Sequence, residues 1–536
     1  MRGLDLPAVV SRHETPGTSL RRPGDLSRIA ADAFLIPCDS DVNVSGGWRP
    51  FVEPGSEPRP SWDWFRPEGV TLTDGLAFLP DPPAPPNEPD GTGKRRTRMP
   101  DDVVGLRVLV DTVGVATIPA MVDRSISAVA LAAAKARRHG GRSLPLGALP
   151  ILGVGQGNFP GRRAEVVREL VGRLHEFVAT HPIDVALVLQ RTSDYAAAQW
   201  ARKLAADAGV DGWSALSDEQ RTLADQLGEA AGRGELSVFA GAGVSKPVGF
   251  PDWKELLAEL AGRELAFDDD TDYPKLAQDL GIEDLNKKVA ARFRTCKHAL
   301  SHALLADLRT RAMVTTNYDP CLENAAAVIH VDPPLQVLAR QLAVGGHPWL
   351  LKLHGDLEAP DTIVVTRDQY ERLETEHRAL RGLVQSLMLT SHLLFVGFGF
   401  ADSDFLAMSE AVAKVRKLAV DEYQSAKVGT AIELRESPDR KHEQLAYHHL
   451  APADSDVSSA ARLLEILLDR IAWRCQVSGD GRGAYLLDPE YEREATEDDR
   501  AVREALLQLQ AAVASHTQSA GHQAIKSLLR DLGLPS

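Results

Sequence analysis

The run LSVFAGAGVSKPVGFPDWKELL, residues 236–257, constrains this chain more than any other stretch. Leu236 to Ala240 form an apolar, strand-length segment that feeds directly into Gly241-Ala242-Gly243, and a polar, then helical pattern follows. Glycines at a strand-to-turn junction let the backbone approach a pyrophosphate, and the next helix offers its first N–H groups to the charge. Further strand-length runs are expected at 312–317, 328–332, 349–354, 363–366, 393–399 and 428–434, separated by helix-sized spacers. Such spacing implies parallel pairing through right-handed crossovers. The expected fold class is α/β: a doubly wound parallel sheet of Rossmann-like type, with its ligand at the carboxyl ends of the strands.

At 536 residues the chain is too long for one core. Residues 1–210 read as a separate α/β unit, with strands expected at 33–37, 106–111, 149–153 and 184–190 and helices at 125–138 and 163–181. A Pro/Gly/charged insertion occupies 80–101. A polar helix from about Ser217 opens the second unit, 215–476. Two amphipathic helices at 499–515 and 521–533 give a short helical tail, 477–536, expected to pack on the body or on another subunit.

Composition narrows the function classes. The four cysteines (Cys38, Cys296, Cys321, Cys475) contain no CxxC pair, so free thiols in a reducing cytoplasm and no metal site are expected. A net charge of −15 argues against nucleic acid as a partner, and the KRRTR run at 94–98 reads as a solvated loop. No apolar run approaches the ~20 residues of a membrane span, and the first residues lack a secretory apolar core.

Three later segments carry polar residues to places where strands should end. In MVTTNYDPCLE (313–323) an apolar lead brings Thr315 to Asp319 out at a strand terminus. A buried Asn317 and Asp319 there need partners, which ligand hydroxyls or an amide would supply. Capping of the helix after Pro320 is the other use open to Asp319. In LLKLHGDL (350–357) His354 closes a mostly apolar strand, and an imidazole can take a proton from a hydroxyl and return it near neutrality. In LLFVGFGFADSDF (393–405) Gly397-Phe398-Gly399 follows another apolar strand. The histidines His442, His448 and His449 are a minor metal candidate, without supporting carboxylate spacing.

These four segments, in this order, resemble the sirtuin family, specifically the zinc-free bacterial branch found in antiphage defence. The resemblance implies that Gly241, Ala242, Gly243 and Ser245 line the pyrophosphate and adjacent ribose of NAD+. It puts Asp252 and Trp253 on a flexible loop over the nicotinamide end, Thr316 in the nucleotide pocket, and Gly397 and Phe398 at the adenosine ribose. It makes Asn317 the residue that positions ribose hydroxyls and the attacking water, His354 the general base, and Asp319 the residue that recognises the carboxamide or supports the pocket. Sirtuin deacylases carry a four-cysteine zinc module after that histidine, and residues 355–392 contain no cysteine. Hydrolysis of NAD+ to ADP-ribose and nicotinamide is therefore the implied reaction, ahead of protein deacylation, ADP-ribosyl transfer or a non-catalytic nucleotide sensor.

The first unit resembles a macrodomain. GDLSRIAADAFLIPCDSD (24–41) is similar to its opening, and LPILGVGQGNFPGRRAEVVRELVGRLHEF (149–177) to its phosphate-loop strand and helix. That resemblance implies Asp25 at an adenine amine, and Gly153, Gly155, Gly157, Asn158 and Phe159 around a diphosphate. The family's distal-ribose asparagine is Asp39 here, which argues against ADP-ribosyl hydrolysis by this unit. The pairing is similar to Thoeris-type effectors with the domain order reversed. It implies an ADP-ribose-like or cyclic ADP-ribose signal that switches the second unit on, and a homo-oligomer as the working form.

Overall fold

A computed structural model of the chain describes residues 18–21, 26–53, 63–79, 105–136, 141–155, 157–268, 271–308, 310–329, 334–338, 340, 345–376, 378–400, 403–416, 427–436, 443–478, 483–519 and 521–534. Asp25, His442 and the whole of the 80–101 insertion lie outside these. The strands of the first sheet are β1 (Thr18–Arg21), β2 (Ala33–Cys38), β3 (Leu76–Phe78), β4 (Leu106–Asp111), β5 (Leu146–Pro150) and β6 (Asp184–Val188). They pair in the order β1-β6-β5-β2-β4-β3, parallel except at the β3–β4 edge. Helices α1 (Ile118–Lys135), α2 (Arg163–Val178) and α3 (Thr192–Asp207) belong to this unit. Strand β5 starts three residues before the expected 149, because Leu146 is already buried beside Asp184.

The second sheet comprises β7 (Leu236–Ala240), β8 (Ala312–Thr315), β9 (Gln336–Leu338), β10 (Trp349–Lys352), β11 (His392–Val396), β12 (Gly429–Arg435) and β13 (Leu445–Ala451). Its order, β13-β12-β11-β7-β8-β10-β9, is parallel throughout. The chain leaves β7 toward β8 and β10, and leaves β11 the opposite way toward β12. The switch point is therefore between β7 and β11, where a doubly wound sheet opens a crevice at its carboxyl edge. Helix α4 (Asp218–Gly232) precedes β7 and is closed by a reciprocal box, in which Ser217 accepts from the Gln220 N–H and the Gln220 side chain accepts from the Ser217 N–H. Helices α5 (Trp253–Ala261), α6 (Leu300–Asp307) and α7 (Cys321–Ile329) follow in chain order.

Two expected strands are not strands. Residues 328 and 329 end helix α7, because Leu322, Ala325, Ala326 and Ile329 recur at helical spacing and are all buried. The neighbouring strand is β9, further along. Residues 363–365 form a buried apolar strap without a sheet partner. The Ile363 carbonyl accepts from Asn286 Nδ2 (2.9 Å) and the Val364 carbonyl from Tyr318 Oη (2.6 Å), while the Val364 N–H donates to the His354 carbonyl (3.0 Å), so two side chains and one loop carbonyl take the place of a neighbouring strand.

Helix α8 (Val457–Ser478) packs on α4 and α6 and carries the main polar ties between the two units. Arg202 forks onto Asp469 at 3.1 and 2.5 Å, and Asp184 binds both Arg142 and Arg462 at 3.0 Å. The tail helices α9 (Glu497–Ala514) and α10 (His522–Asp531) follow a short segment that docks on the first unit, where Tyr491 is buried in the core and its hydroxyl donates to Asp194 at 2.7 Å. Within the described residues no helix is long and apolar enough to cross a membrane.

The first unit also contains a pH-sensitive group. Burial, and then the Arg202 charge, lower the His175 pKa from 6.5 to about 4. A depressed folded-state pKa means that its stabilisation is intact above 6.5 and is lost as pH falls toward 4. Unfolding free energy is expected to decline by up to ~3 kcal/mol across that window from this group alone. Denaturant titrations of wild type and His175→Gln between pH 7 and 4 check this: the variant should show the shallower pH slope.

Candidate functional site

Strand register brings the expected residues to one edge. Thr315 pairs with Ala240 on one side and with Lys352 on the other, while Val396 pairs with Ala240. Gly241, Gly397, Asn317 and His354 therefore all leave the carboxyl ends of four adjacent strands, β7, β11, β8 and β10. Asn317 and His354 each lie two residues beyond a directly paired position. Both are buried, at 9% and 4% exposure.

The two glycine segments are locked against each other. The Gly241 N–H donates to the Val396 carbonyl and the Gly243 N–H to the Gly397 carbonyl, both at 2.9 Å. A Cβ at 241 would lie 2.5 Å from the Gly397 oxygen, and Gly397 itself has φ +63°. Only glycine allows this approach. Beside it a cleft of about 320 Å³ opens, lined by Gly243, Gly397, Phe398 and Gly399 and walled on the far side by Arg142, Glu433, Arg462 and Glu465. That volume falls in the range that holds small-molecule ligands. The ring of Phe398 packs 4.7 Å from Phe239 and 5.1 Å from Phe405, so it supports the cleft from an aromatic cluster.

Beneath the crevice, the polar groups form one chain of hydrogen bonds. The Ala299 N–H donates to His302 Nδ1 at 3.1 Å, which leaves the ring proton on Nε2, facing Ser245 Oγ at 3.1 Å. Ser245 donates to Asp319 Oδ2 at 2.8 Å and accepts from Asn317 Nδ2 at 3.1 Å. The second proton of that amide goes to the Gly241 carbonyl at 3.0 Å. Both amide protons are consumed, so Asn317 turns its oxygen, which has no hydrogen bond among the described residues, away from this chain of groups. His302, Asp319 and Cys321 each place a potential ligand atom within 4.8 Å of the others. A metal would need the Nε2 lone pair, and the Ala299 N–H keeps a proton there. Burial, and then Asp319, push the Cys321 thiol well above its ordinary pKa.

Several of the expected ligand residues make structural contacts. Ser245 is buried under the crevice rather than lining it, while Ala242 and Gly243 are exposed and Thr316 is half-buried at the edge. Asp319 spends one oxygen on Ser245 and the other on the Cys321 N–H (3.0 Å), capping α7. Asp252 is the last residue of its loop, in extended backbone just before α5. It caps α5 through the Glu255 N–H and pairs with Lys246, because DWKE is a capping-box sequence. Trp253 starts that helix and stacks 6.1 Å from Tyr273.

Two neighbours of the crevice carry little signal in the sequence. Lys352, buried within β10, donates to the carbonyls of Tyr318 (2.8 Å) and Asp319 (2.9 Å) and to Glu323 (2.8 Å), fastening the Asn317 turn to the histidine strand. Burial pushes the Glu323 carboxyl above its ordinary value despite the Lys352 ammonium. His302 had one weak signal, a single histidine beside Ser301 in the mostly apolar stretch LSHALLA. After His354, Gly355 has φ +94°, and a Cβ there would lie 2.2 Å from the Thr362 oxygen. Gly355→Ala is expected to destabilise the fold by ~2 kcal/mol, read as a lower urea midpoint at unchanged slope. The His354 ring packs edge-on against Tyr370 at 5.1 Å, with Tyr370 Oη 3.5 Å from Nδ1.

In the first unit, the 153–159 loop leaves the carboxyl end of β5. Gly155 is exposed, but Phe159 is buried in that unit's core and Asn158 Nδ2 donates to the Val113 carbonyl and, at 3.0 Å, to that of Val115. Asp39 accepts from the Asp41 and Asn43 N–H groups and the Asn43 side chain, closing its own turn. His448 and His449 are consecutive on β13 and so point to opposite faces; His449 meets Glu433 at 3.2 Å.

A family profile described as a SIR2-like domain matches residues 311–452. That stretch runs from β8 through β13 and includes Asn317, His354 and Gly397. The chain is 31% identical over 197 residues to the NAD(+) hydrolase ThsA of Enterococcus faecium, covering 34% of this chain and 41% of that protein. It is 29% identical over 199 residues to the NAD(+) hydrolase ThsA of Acinetobacter baumannii, covering 34% and 40%. A weaker match, 22% over 212 residues, is to defense-associated sirtuin 2 of Bacillus subtilis, covering 36% of this chain and 20% of the relative. The chain thus spans about two fifths of the length of the NAD(+) hydrolases it resembles, and the likeness reaches only a third of its own residues.

Proposed function

We propose that the chain hydrolyses NAD+ to ADP-ribose and nicotinamide at the crevice between Gly241, Gly397, Asn317 and His354. The observation that carries this reading is the amide of Asn317, whose two protons are bound internally beside a buried imidazole on the next strand. An amide oxygen turned outward accepts a hydrogen bond from a ribose hydroxyl or a water, and so aims that nucleophile. The C–N bond to nicotinamide breaks with its electron pair going to the pyridinium nitrogen, which leaves neutral. Water oxygen closes on the anomeric carbon while His354 takes a proton. The surrounding dipoles stabilise an oxocarbenium-like transition state without a covalent enzyme intermediate.

The same reading covers the whole molecule. The first unit is macrodomain-like and binds an ADP-ribose-like or cyclic ADP-ribose signal at its β5 loop. The working form is a homo-oligomer, and the biological role is antiphage defence by draining NAD+. The names of the matching relatives support the activity, and the mixed six-stranded sheet with a glycine loop at a strand end supports the nucleotide-reading unit. The activity is tested by incubating full-length protein with NAD+, without peptide, and quantifying nicotinamide and ADP-ribose. Equal amounts of both are expected; turnover only with an acyl-peptide would point to deacylation instead.

A further inference from the structure

We propose that the first unit is part of the catalytic apparatus: it grips helix α6 at both ends, and so holds His302, Ser245 and the Asn317 amide in working register. This rests on the hydrolase reading of the crevice.

Helix α6 is short, and all eight of its residues are buried. Just before its first residue, the chain forms a backbone clasp with the first unit. The His298 N–H donates to the Arg28 carbonyl at 2.7 Å, and the Ala30 N–H donates to the His298 carbonyl at 2.9 Å. At the far end, Tyr195 on α3 donates its hydroxyl to the Asp307 carboxylate. That tyrosine is completely enclosed, and it is itself held by Gln199 Nε2 at 2.7 Å. Gln199 accepts from Arg202 at 3.2 Å, and Arg202 is fixed by its fork on Asp469 and by lying 4.4 Å from the Trp213 ring centroid. Burial, followed by the Asp307 charge, raises the Tyr195 pKa well above its ordinary value, so the phenol stays a donor.

Between these two grips sits His302, with 0% exposure, the start of the chain that runs through Ser245 to Asn317. A helix only two turns long has little stiffness of its own, and its register is set by what holds its ends. Movement along its axis by a fraction of an ångström would stretch the 3.1 Å contact between His302 and Ser245 beyond hydrogen-bond range. Ser245 would then be free to rotate, and the Asn317 amide would lose one of its two anchors. Tyr195 is thus a positioning residue that never touches substrate.

The full chain provides its own control. Tyr491 also donates to a buried carboxylate of the first unit, Asp194 at 2.7 Å, and it joins the tail segment to α3 rather than to α6. Tyr195→Phe and Tyr491→Phe each remove one hydroxyl from a comparable setting. Tyr195→Phe is expected to lower kcat for NAD+ hydrolysis ~10- to 100-fold with KM within about twofold, whereas Tyr491→Phe leaves kcat within about twofold. Amide hydrogen exchange gives a readout independent of activity: Tyr195→Phe should speed exchange over both 299–307 and 241–248, and Tyr491→Phe over neither. If wild type hydrolyses no NAD+, the hydrolase reading fails, and the exchange pattern alone decides whether α6 is braced. Equal losses of kcat in the two variants, or faster exchange confined to residues 105–210, would overturn the proposal.

Discussion

Replacing His354 by alanine is expected to reduce NAD+ hydrolysis by ~10²–10⁴-fold, the range for removing a positioned proton acceptor. Asn317→Ala should lose ~10²–10³-fold, the range for one preorganised polar group at the reacting centre. The two residues act on the same bond, so the double variant should be little worse than the worse single variant. Initial rates of nicotinamide release, with circular dichroism as a check on folding, measure all three. Additive losses would mean that the two side chains do not share a sugar ring.

The second large effect is on stability. Lys352→Met keeps the volume of the buried stem but removes the ammonium that three oxygens share. It leaves two buried carbonyls without this donor and Glu323 with the longer Arg340 contact at 3.4 Å, a loss expected at ~3–5 kcal/mol. Glu323→Gln alone should cost less, since its carboxyl is already pushed toward the neutral form by burial. Urea unfolding of the two variants orders them, and a Lys352→Met loss smaller than that of Glu323→Gln would contradict this account of the turn.

The parts of the molecule visible in the sequence are those set by short-range pattern. Strands β7, β8, β10, β11 and β12 are apolar runs bounded by glycine or polar residues, and their carboxyl ends are the positions where Gly241, Asn317, His354 and Gly397 emerge. What stayed hidden depends on partners far along the chain. Lys352 is one charge in an apolar strand until the carbonyls of 318 and 319 reach it. His302 is one polar residue in a buried helix until Ser245, 57 positions away, meets its ring. The 363–365 strap has strand composition but takes its hydrogen bonds from Asn286, Tyr318 and the His354 carbonyl. At Asp252, a capping box and a ligand loop use the same residues, and the capping box is the interaction the fold displays. In the first unit, the 153–159 glycines mark the right strand end, while Asn158 and Phe159 belong to its packing.

The most direct measurement is nicotinamide released from NAD+ by the folded full-length chain, assayed with and without ADP-ribose derivatives. The account predicts release matched mole for mole by ADP-ribose, and its loss in His354→Ala and Asn317→Ala. Undiminished release from both variants, or none from wild type under either condition, would contradict it.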